Sequence, residues 1–300
     1  MRWEEYLMDD VRGMPGSGTL GETASVRRLR SLRQQDIAGA LRLKEAAHWN
    51  QTEEDWQRLL ELGPEGCFVI SQGDVVAASA TVVLYGTDLA WIGMVLTLPE
   101  FRKQGLASRL MERVLEVAVS RSVGKVGLDA TDMGFPLYRT FGFETECIVE
   151  RWERPADAKP VSPAVVGPWR PAPALDRLAF GADRAKLLAS LARVEAASVG
   201  DGEGYAMMRP GSRAAYFGPC VAKSPAAAED LLRWFLAQHS REQICWDVLL
   251  DNHEAVALAR KYGFQPVRTL KRMVRNLQAV VAPASPKYSY VFAIAGFEYG

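Results

Sequence analysis

Apolar and polar positions alternate along this chain with two periods, one close to two residues and one close to 3.6, and they divide it into strands and helices. Ser25 to Arg30 reads as a strand, followed by helical patterns over about 34–47 and 52–62. The second pattern opens on Thr52 with Asp55 three residues later, the spacing of a capping box. Cys67-Phe68-Val69-Ile70, the turn Gly73-Asp74 and Val75 to Leu84 have the order of a β-hairpin. Ala90 to Leu96 is short and apolar enough for a buried strand. After Pro99 the period lengthens: Leu106, Leu110, Val114, Val117 and Ala118 predict a helix over about 105–120. A strand over 126–129, a short helix over 135–141 and a strand over 143–152 complete this half. Interleaved strands and helices predict an α/β arrangement with a mixed sheet.

The later part of this order returns in the second half. Strands over 205–209 and 214–217 precede a helix over 226–238, a strand over 244–249, a helix over 254–262 and a strand over 266–274. Leu137-Tyr138-Arg139-Thr140-Phe141-Gly142-Phe143 and Leu258-Ala259-Arg260-Lys261-Tyr262-Gly263-Phe264 share the ending Leu-x-Arg-x-aromatic-Gly-Phe. Two copies of one fold are expected. Pro155, Pro160, Pro163, Pro168, Pro171 and Pro173 make 154–173 a stiff linker between a first domain, 25–153, and a second, 174–300. The glycine-rich stretch within 1–24 reads as a flexible leader.

Composition narrows the function. Lysine plus arginine equals aspartate plus glutamate at 36 each, so no overall basic field exists to hold a nucleic-acid backbone. No apolar run approaches the ~20 residues that span a bilayer, and a basic-then-apolar leader is missing, so a cytoplasmic protein without membrane contact is expected. The four cysteines, Cys67, Cys147, Cys220 and Cys245, and the three histidines are dispersed, which predicts reduced thiols and no metal site.

The chemistry-bearing run is Arg102-Lys103-Gln104-Gly105-Leu106-Ala107. It comes after a strand and opens a helix, an order that presents successive backbone N–H groups to an anion at the positive helix end. Gly105 lets backbone approach a phosphate, while Arg102 and Lys103 add positive charge.

With Val95-Leu96-Thr97-Leu98-Pro99-Glu100-Phe101 before it and the Tyr138 to Phe143 segment after it, this run resembles the signature of the GCN5-related N-acetyltransferase superfamily. The resemblance covers about 25–152, and the whole chain resembles bacterial two-domain members whose second copy is degenerate. It implies tandem acyl-CoA N-acyltransferase folds and acetyl-CoA as co-substrate. Pantetheine would pair with backbone at Val95 and Thr97, and an N–H near Leu96 would polarise the thioester. The pyrophosphate would lie on Arg102, Lys103, Gln104, Gly105, Leu106 and Ala107, with the Tyr138 hydroxyl facing the departing sulfur. The second half lacks the phosphate turn and has Ala259 where the first has Tyr138, so one active site is expected. Its task would be to pack on the first and shape the acceptor pocket.

The implied reaction is acetyl transfer to a primary amine of a small molecule or peptide. The rival reading is a catalytically silent acyl-CoA-binding regulator. An ammonium acceptor must lose a proton before attack. His48, Asp88, Asp129 and Asp132 are candidate bases, though a water chain can serve. Asp132 also reads as a cap of the helix after it, and His48-Trp49-Asn50 as a packed loop. Ser79 and Ser108 lack a histidine-carboxylate partner, which favours direct transfer. Phe292 to Glu298 reads as a last strand and turn, with Glu298 at most a cleft contact.

Overall fold

The computed structural model describes residues 26–278 and 286–300; the leader lies outside the described residues. The first half contains β1 (Arg27–Ser31), α1 (Ile37–Ala46), α2 (Glu53–Leu62), β2 (Cys67–Gln72), β3 (Val75–Tyr85) and β4 (Leu89–Thr97). It continues with α3 (Leu106–Ser120), β5 (Lys125–Ala130), α4 (Phe135–Thr140) and β6 (Glu144–Arg154). The second half contains β7 (Gly167–Pro168), α5 (Pro173–Phe180), α6 (Ala185–Leu191), β8 (Glu195–Val199), β9 (Gly204–Arg209) and β10 (Ala215–Ala222). After these come α7 (Pro225–Gln238), β11 (Ile244–Leu249), α8 (His253–Lys261), β12 (Gln265–Asn276) and β13 (Val291–Ala293).

Several elements depart from expectation. The proline-rich segment contributes β7, which pairs with β8, and its last proline starts α5. Proline suits the first helical position because the missing N–H has no intrahelical acceptor there. Helices α5 and α6 and strand β8 have no counterpart in the sequence pattern. Asp55 does accept the backbone N–H of Thr52 at 2.9 Å, so the expected helix start is present.

All the strands join one mixed sheet in the order β1-β2-β3-β4-β5-β12-β6-β11-β10-β9-β8-β7, with β13 on β10. The segments 25–153 and 174–300 do not each build their own sheet, because β12 lies between β5 and β6, and β6 between β12 and β11. Each half lends its last long strand to the other. In both copies the register sets an arginine opposite an aspartate of the other half: Arg272 faces Asp129, and Arg151 faces Asp247. Arg151 stands eight residues beyond Phe143, and Arg272 eight beyond Phe264, so the exchange is pseudo-symmetric. Both pairs are bidentate, at 2.9 and 2.9 Å for Arg272–Asp129 and 2.8 and 2.7 Å for Arg151–Asp247.

Three main cores hold the layers together. The stripe of α3, with Leu106, Leu110, Met111 and Val114, is buried on one face of β2–β5. Each such side chain contributes ~1.5–3 kcal/mol by leaving water. Helices α7 and α8 cover the second half. On the other face of the first half, Trp56 and Leu59 of α2 share a core with Tyr205 and Met207 of β9 and with Phe297 and Tyr299 of the closing segment. That core belongs to both halves.

Candidate active site

Strands β4 and β5 are parallel neighbours only at Leu89–Trp91 against Lys125–Gly127. Beyond that point they splay. The register of β4 on β3 shifts between Ser79 and Thr81, Met94 takes a φ of 49°, and the Ser79 hydroxyl donates to the Met94 carbonyl at 2.7 Å. A bulge of this kind bends its strand and re-aims the residues beyond it. Leu98 N–H donates to Ala77 on β3, so by alternation Leu96 also faces β3 while the backbone groups of Val95 and Thr97 turn to the opening. The N–H of Leu96 is thus directed away from the opening, and that of Val95 towards it.

The opening leads to the turn 102–107. Lys103 and Gly105 have φ of 58° and 74°, and Gly105 precedes α3 without a side-chain cap. At 74° a side chain other than glycine is strained, and a Cβ on Gly105 would project into open space where an anion would sit. The N–H groups of Lys103, Gln104, Gly105, Leu106 and Ala107 meet no backbone acceptor among the described residues. The helix end adds about half a positive charge. Arg102 Nε reaches back to the Thr97 carbonyl at 3.3 Å, and the Gln104 amide donates to Glu100 O at 2.8 Å while accepting from Arg27. These bonds fix the turn, and the exposed Lys103 is left to face solvent.

Tyr138 on α4 is buried, its ring edge-on to Phe143 at 6.3 Å. Burial alone pushes its pKa up, so it is a neutral phenol that can give a proton and cannot act as a base.

The expected bases are engaged elsewhere. Asp129 is held by Arg272, Asp88 accepts from Arg177 at 2.7 Å on the surface, and His48 is an exposed loop residue. Asp132 does not cap α4: it pairs with Lys271 at 2.8 Å, and the Gly134 N–H is met by Thr131 instead. Ser79 is spent on the bulge. The cysteines are buried, and burial pushes Cys67, Cys147 and Cys245 up to about 12, which leaves inert thiols. Among the described residues no group of three or more His, Cys, Asp or Glu could hold a metal ion.

A polar cluster at the junction of the halves escapes sequence reasoning. Glu298, 1% exposed, accepts from Gln51 Nε2 at 2.7 Å and from Arg209 Nη2 at 2.9 Å. Burial pushes its pKa above the ordinary carboxylate range, while Arg209 pulls the other way. Arg209 also donates to Asp55 at 3.2 Å and lies 4.2 Å over the Tyr216 ring. Glu298 backbone passes so close to Gly93 that a Cβ there would lie 2.7 Å from its Cα, which puts the cluster beside the bulge of β4. Residues as far apart as Gln51 and Glu298 give no local signal; a glutamate in the apolar closing segment is the only hint.

The equivalent opening of the second half is filled. β10 and β11 pair only at Ala215–Phe217 with Ile244–Trp246, and the edge of β10 beyond them is taken by β13. Trp246 Nε1 donates to the Phe292 carbonyl at 2.7 Å. The start of α7 is closed as well: Ser224 accepts the Ala227 N–H at 3.2 Å, and Pro225 has no N–H to offer.

A parallel strand pair joined only at its start, a bulge on its first strand and an uncapped turn opening α3 are features of an acyltransferase-type fold. An "Acetyltransferase (GNAT) family" profile matches residues 33–143, and an "Acetyltransferase (GNAT) domain" profile matches 173–289. The chain belongs to the GNAT acetyltransferase family and carries two of its domains in tandem. The crystal structure of a candidate acetyltransferase from Pyrococcus horikoshii is similar over 95% of this chain and 99% of its own, with TM-score 0.78 and 23% identity. A GCN5-related N-acetyltransferase from Sphaerobacter thermophilus is similar over 88% and 98%, with TM-score 0.63 and 15% identity. A tandem GNAT protein from the clavulanic acid biosynthesis pathway is similar over 85% and 100%, with TM-score 0.58 and 14% identity. At these identities the likeness is one of fold. No curated protein matches the chain.

Proposed function

We propose that this protein transfers an acetyl group from acetyl-CoA to a primary amine of a small molecule or peptide, by direct attack, at one site in the first half. The observation that carries the reading is the combination of an opening between β4 and β5 with five N–H groups, of residues 103–107, that meet no backbone acceptor among the described residues. The filled opening of the second half supports a single site.

In this reading the turn 102–107 binds the pyrophosphate and Lys103 adds charge. Val95 and Thr97 offer strand-like backbone partners to pantetheine. The Val95 N–H, rather than that of Leu96, polarises the thioester carbonyl beside the bulge as negative charge develops on its oxygen. The amine lone pair forms the C–N bond, the C–S bond breaks, and Tyr138 gives its proton to the thiolate and recovers one from solvent. Since the expected carboxylates are paired, the ammonium proton leaves through water before attack, and the second proton that the nitrogen sheds as the amide forms goes to the same water, which in turn reprotonates Tyr138.

The test is a CoA-release assay over a panel of amines, alongside acetyl-CoA calorimetry. Turnover on at least one amine with one cofactor bound per chain is expected. Acetyl-CoA binding without turnover on any amine would favour a regulator instead.

A further inference from the structure

The turn after α1 is held by the other half of the chain. His48 takes a left-handed φ of 56°, and the Trp49 N–H turns back to the Lys44 carbonyl at 2.9 Å. Asn50, 7% exposed, then spends its whole amide on the turn that joins β9 to β10. Its Oδ1 accepts the N–H groups of Arg213 at 2.9 Å and Ala214 at 3.0 Å, while Nδ2 donates to the Ala214 carbonyl at 2.9 Å and lies 3.4 Å from Cys245 Sγ. Two backbone donors on one atom settle which end of the amide is oxygen. Backbone adds to the grip: the Ser212 N–H donates to Asn50 O at 2.8 Å, and Arg213 Nη1 to His48 O at 3.3 Å. Gly211 is small for the same reason, since a Cβ there would lie 2.1 Å from Asn50 Nδ2 and 2.2 Å from the Ala214 oxygen.

These residues stand at the bulge of β4. Gln51, next in the chain, donates to Glu298 at 2.7 Å, and the Glu298 backbone lies against Gly93, which precedes Met94 and its φ of 49°. From Gly93 to Thr97 a strand rises ~13 Å at ~3.3 Å per residue, so this contact is well removed from the end of β4 that leads to the turn 102–107. Among the described residues the side chains of that turn bond to Thr97, Glu100 and Arg27, all in the first half. The bolt at Asn50 therefore bears on the bulge and leaves the phosphate turn alone.

Resting on the acetyltransferase reading, we infer that Asn50 is a positioning residue for the acceptor. Through it the turn 210–214 of the second half holds residues 48–51 as the wall against which the amine is placed beside the bulge. Cofactor affinity is a property of the first half, and acceptor affinity is set by backbone of the second. Displacing such a wall by ~1 Å is enough to lose a productive pose.

The experiment uses the full chain, the amine of the panel that the parent turns over fastest, and hydrogen exchange read on peptides covering 44–52, 102–107 and 210–216. Asn50→Ala should raise the acceptor KM at least ~tenfold, with kcat within about threefold and the acetyl-CoA Kd within about twofold of the parent. Gly211→Ala acts from the opposite side, on a surface turn, and should give the same split. Because both variants open one bolt, the double variant should be no worse than the poorer single one. An unchanged acceptor KM in both variants would overturn the inference, as would a fall in acetyl-CoA affinity equal to the rise in KM, the mark of a merely structural role. If the parent turns over no amine, the catalytic reading fails and exchange decides the bolt. Faster exchange at 44–52 in both variants, with 102–107 unaltered, would uphold it; parent-like exchange at 44–52 would sink it.

Discussion

Replacing Arg272 by Met should test the strand exchange directly. Asp129 is wholly buried and its two oxygens are each met by Arg272 at 2.9 Å. The variant retains an apolar stem over Trp91, where the guanidinium now lies 4.5 Å from the ring, but strips Asp129 of its partner. Breaking a buried pair in this way typically destabilises by ~3–5 kcal/mol. Protonation of Asp129 sets a ceiling on the loss. Neutralising a carboxyl of pKa ~3.9 at pH 7 takes about three pH units at ~1.4 kcal/mol each, or ~4 kcal/mol, and only ~1.5 kcal/mol at pH 5. In the variant the folded state holds a proton that the unfolded state releases, so its stability falls as pH rises from about 4 towards 7. Urea unfolding followed by tryptophan fluorescence should therefore show the full deficit at pH 7 and less than half of it at pH 5. Adding Asp129→Leu removes the orphaned carboxyl and should restore stability to within ~1.5 kcal/mol of the parent. A deficit under ~1 kcal/mol at pH 7, or one independent of pH, would show that the Arg272 fork does not hold β12 against β5.

Three further outcomes are expected from the site and the surface. Gly105→Glu forces a side chain onto a φ of 74° and sets a carboxylate where the turn N–H groups converge, so acetyl-CoA affinity should fall at least ~tenfold by calorimetry; an unchanged Kd would remove the turn from the cofactor site. Tyr138→Phe keeps the ring against Phe143, and single-turnover acetyl transfer should slow by about 10²-fold, the lower end for a general acid; a parent-like rate across about pH 6 to 9 would make Tyr138 a core residue only. His239 donates to Glu195 at 2.7 Å and Glu242 at 2.9 Å, and these carboxylates, Glu195 first, raise its pKa to about 9 against burial. A raised folded pKa gives stability that is complete below pH ~6.5 and lost as pH climbs through about 9, so the parent Tm should drop more than that of His239→Gln over this window; parallel curves would refute the pairing.

Much of the first half is legible because its elements announce themselves by period. The stripe Leu106, Leu110, Val114 and the turn before it fall where the pattern puts them, since one face of α3 is buried and the other wet. Helix α5 is hidden by Pro173, which reads as an interruption although it occupies the one helical position that tolerates proline. Strand β8, Glu195-Ala-Ala-Ser-Val, is built of small residues without alternation and gains its place from neighbours on both sides. The exchange of β6 and β12 is illegible for a deeper reason. Arg151 and Arg272 are equivalent by position, as are the aspartates they meet, so exchanged and unexchanged sheets satisfy the same patterns and the same charges. The junction cluster is tertiary throughout, with Gln51, Arg209 and Glu298 meeting only once the halves are joined.

The filled opening in the second half has a consequence for the first. Strand β13 is fixed on β10, and from there Ile294 N–H donates to Asp247 O at 3.2 Å, anchoring the closing segment beside the Arg151–Asp247 pair. The segment then crosses to the first half, where Trp91 Nε1 meets Phe297 O at 3.0 Å and the Tyr85 hydroxyl meets Tyr299 O at 2.7 Å. Ordering a chain segment opposes folding by ~1–2 kcal/mol per residue, and bonds on both sides of the segment offset that loss. Glu298 is flanked by the Phe297 and Tyr299 anchors, and its carboxylate is held by Gln51 and Arg209. Strand β13, by occupying the edge of β10, thus fixes the start of a segment whose later residues pack into the core of the first half, which a loop of the same length without that pairing could not hold in place.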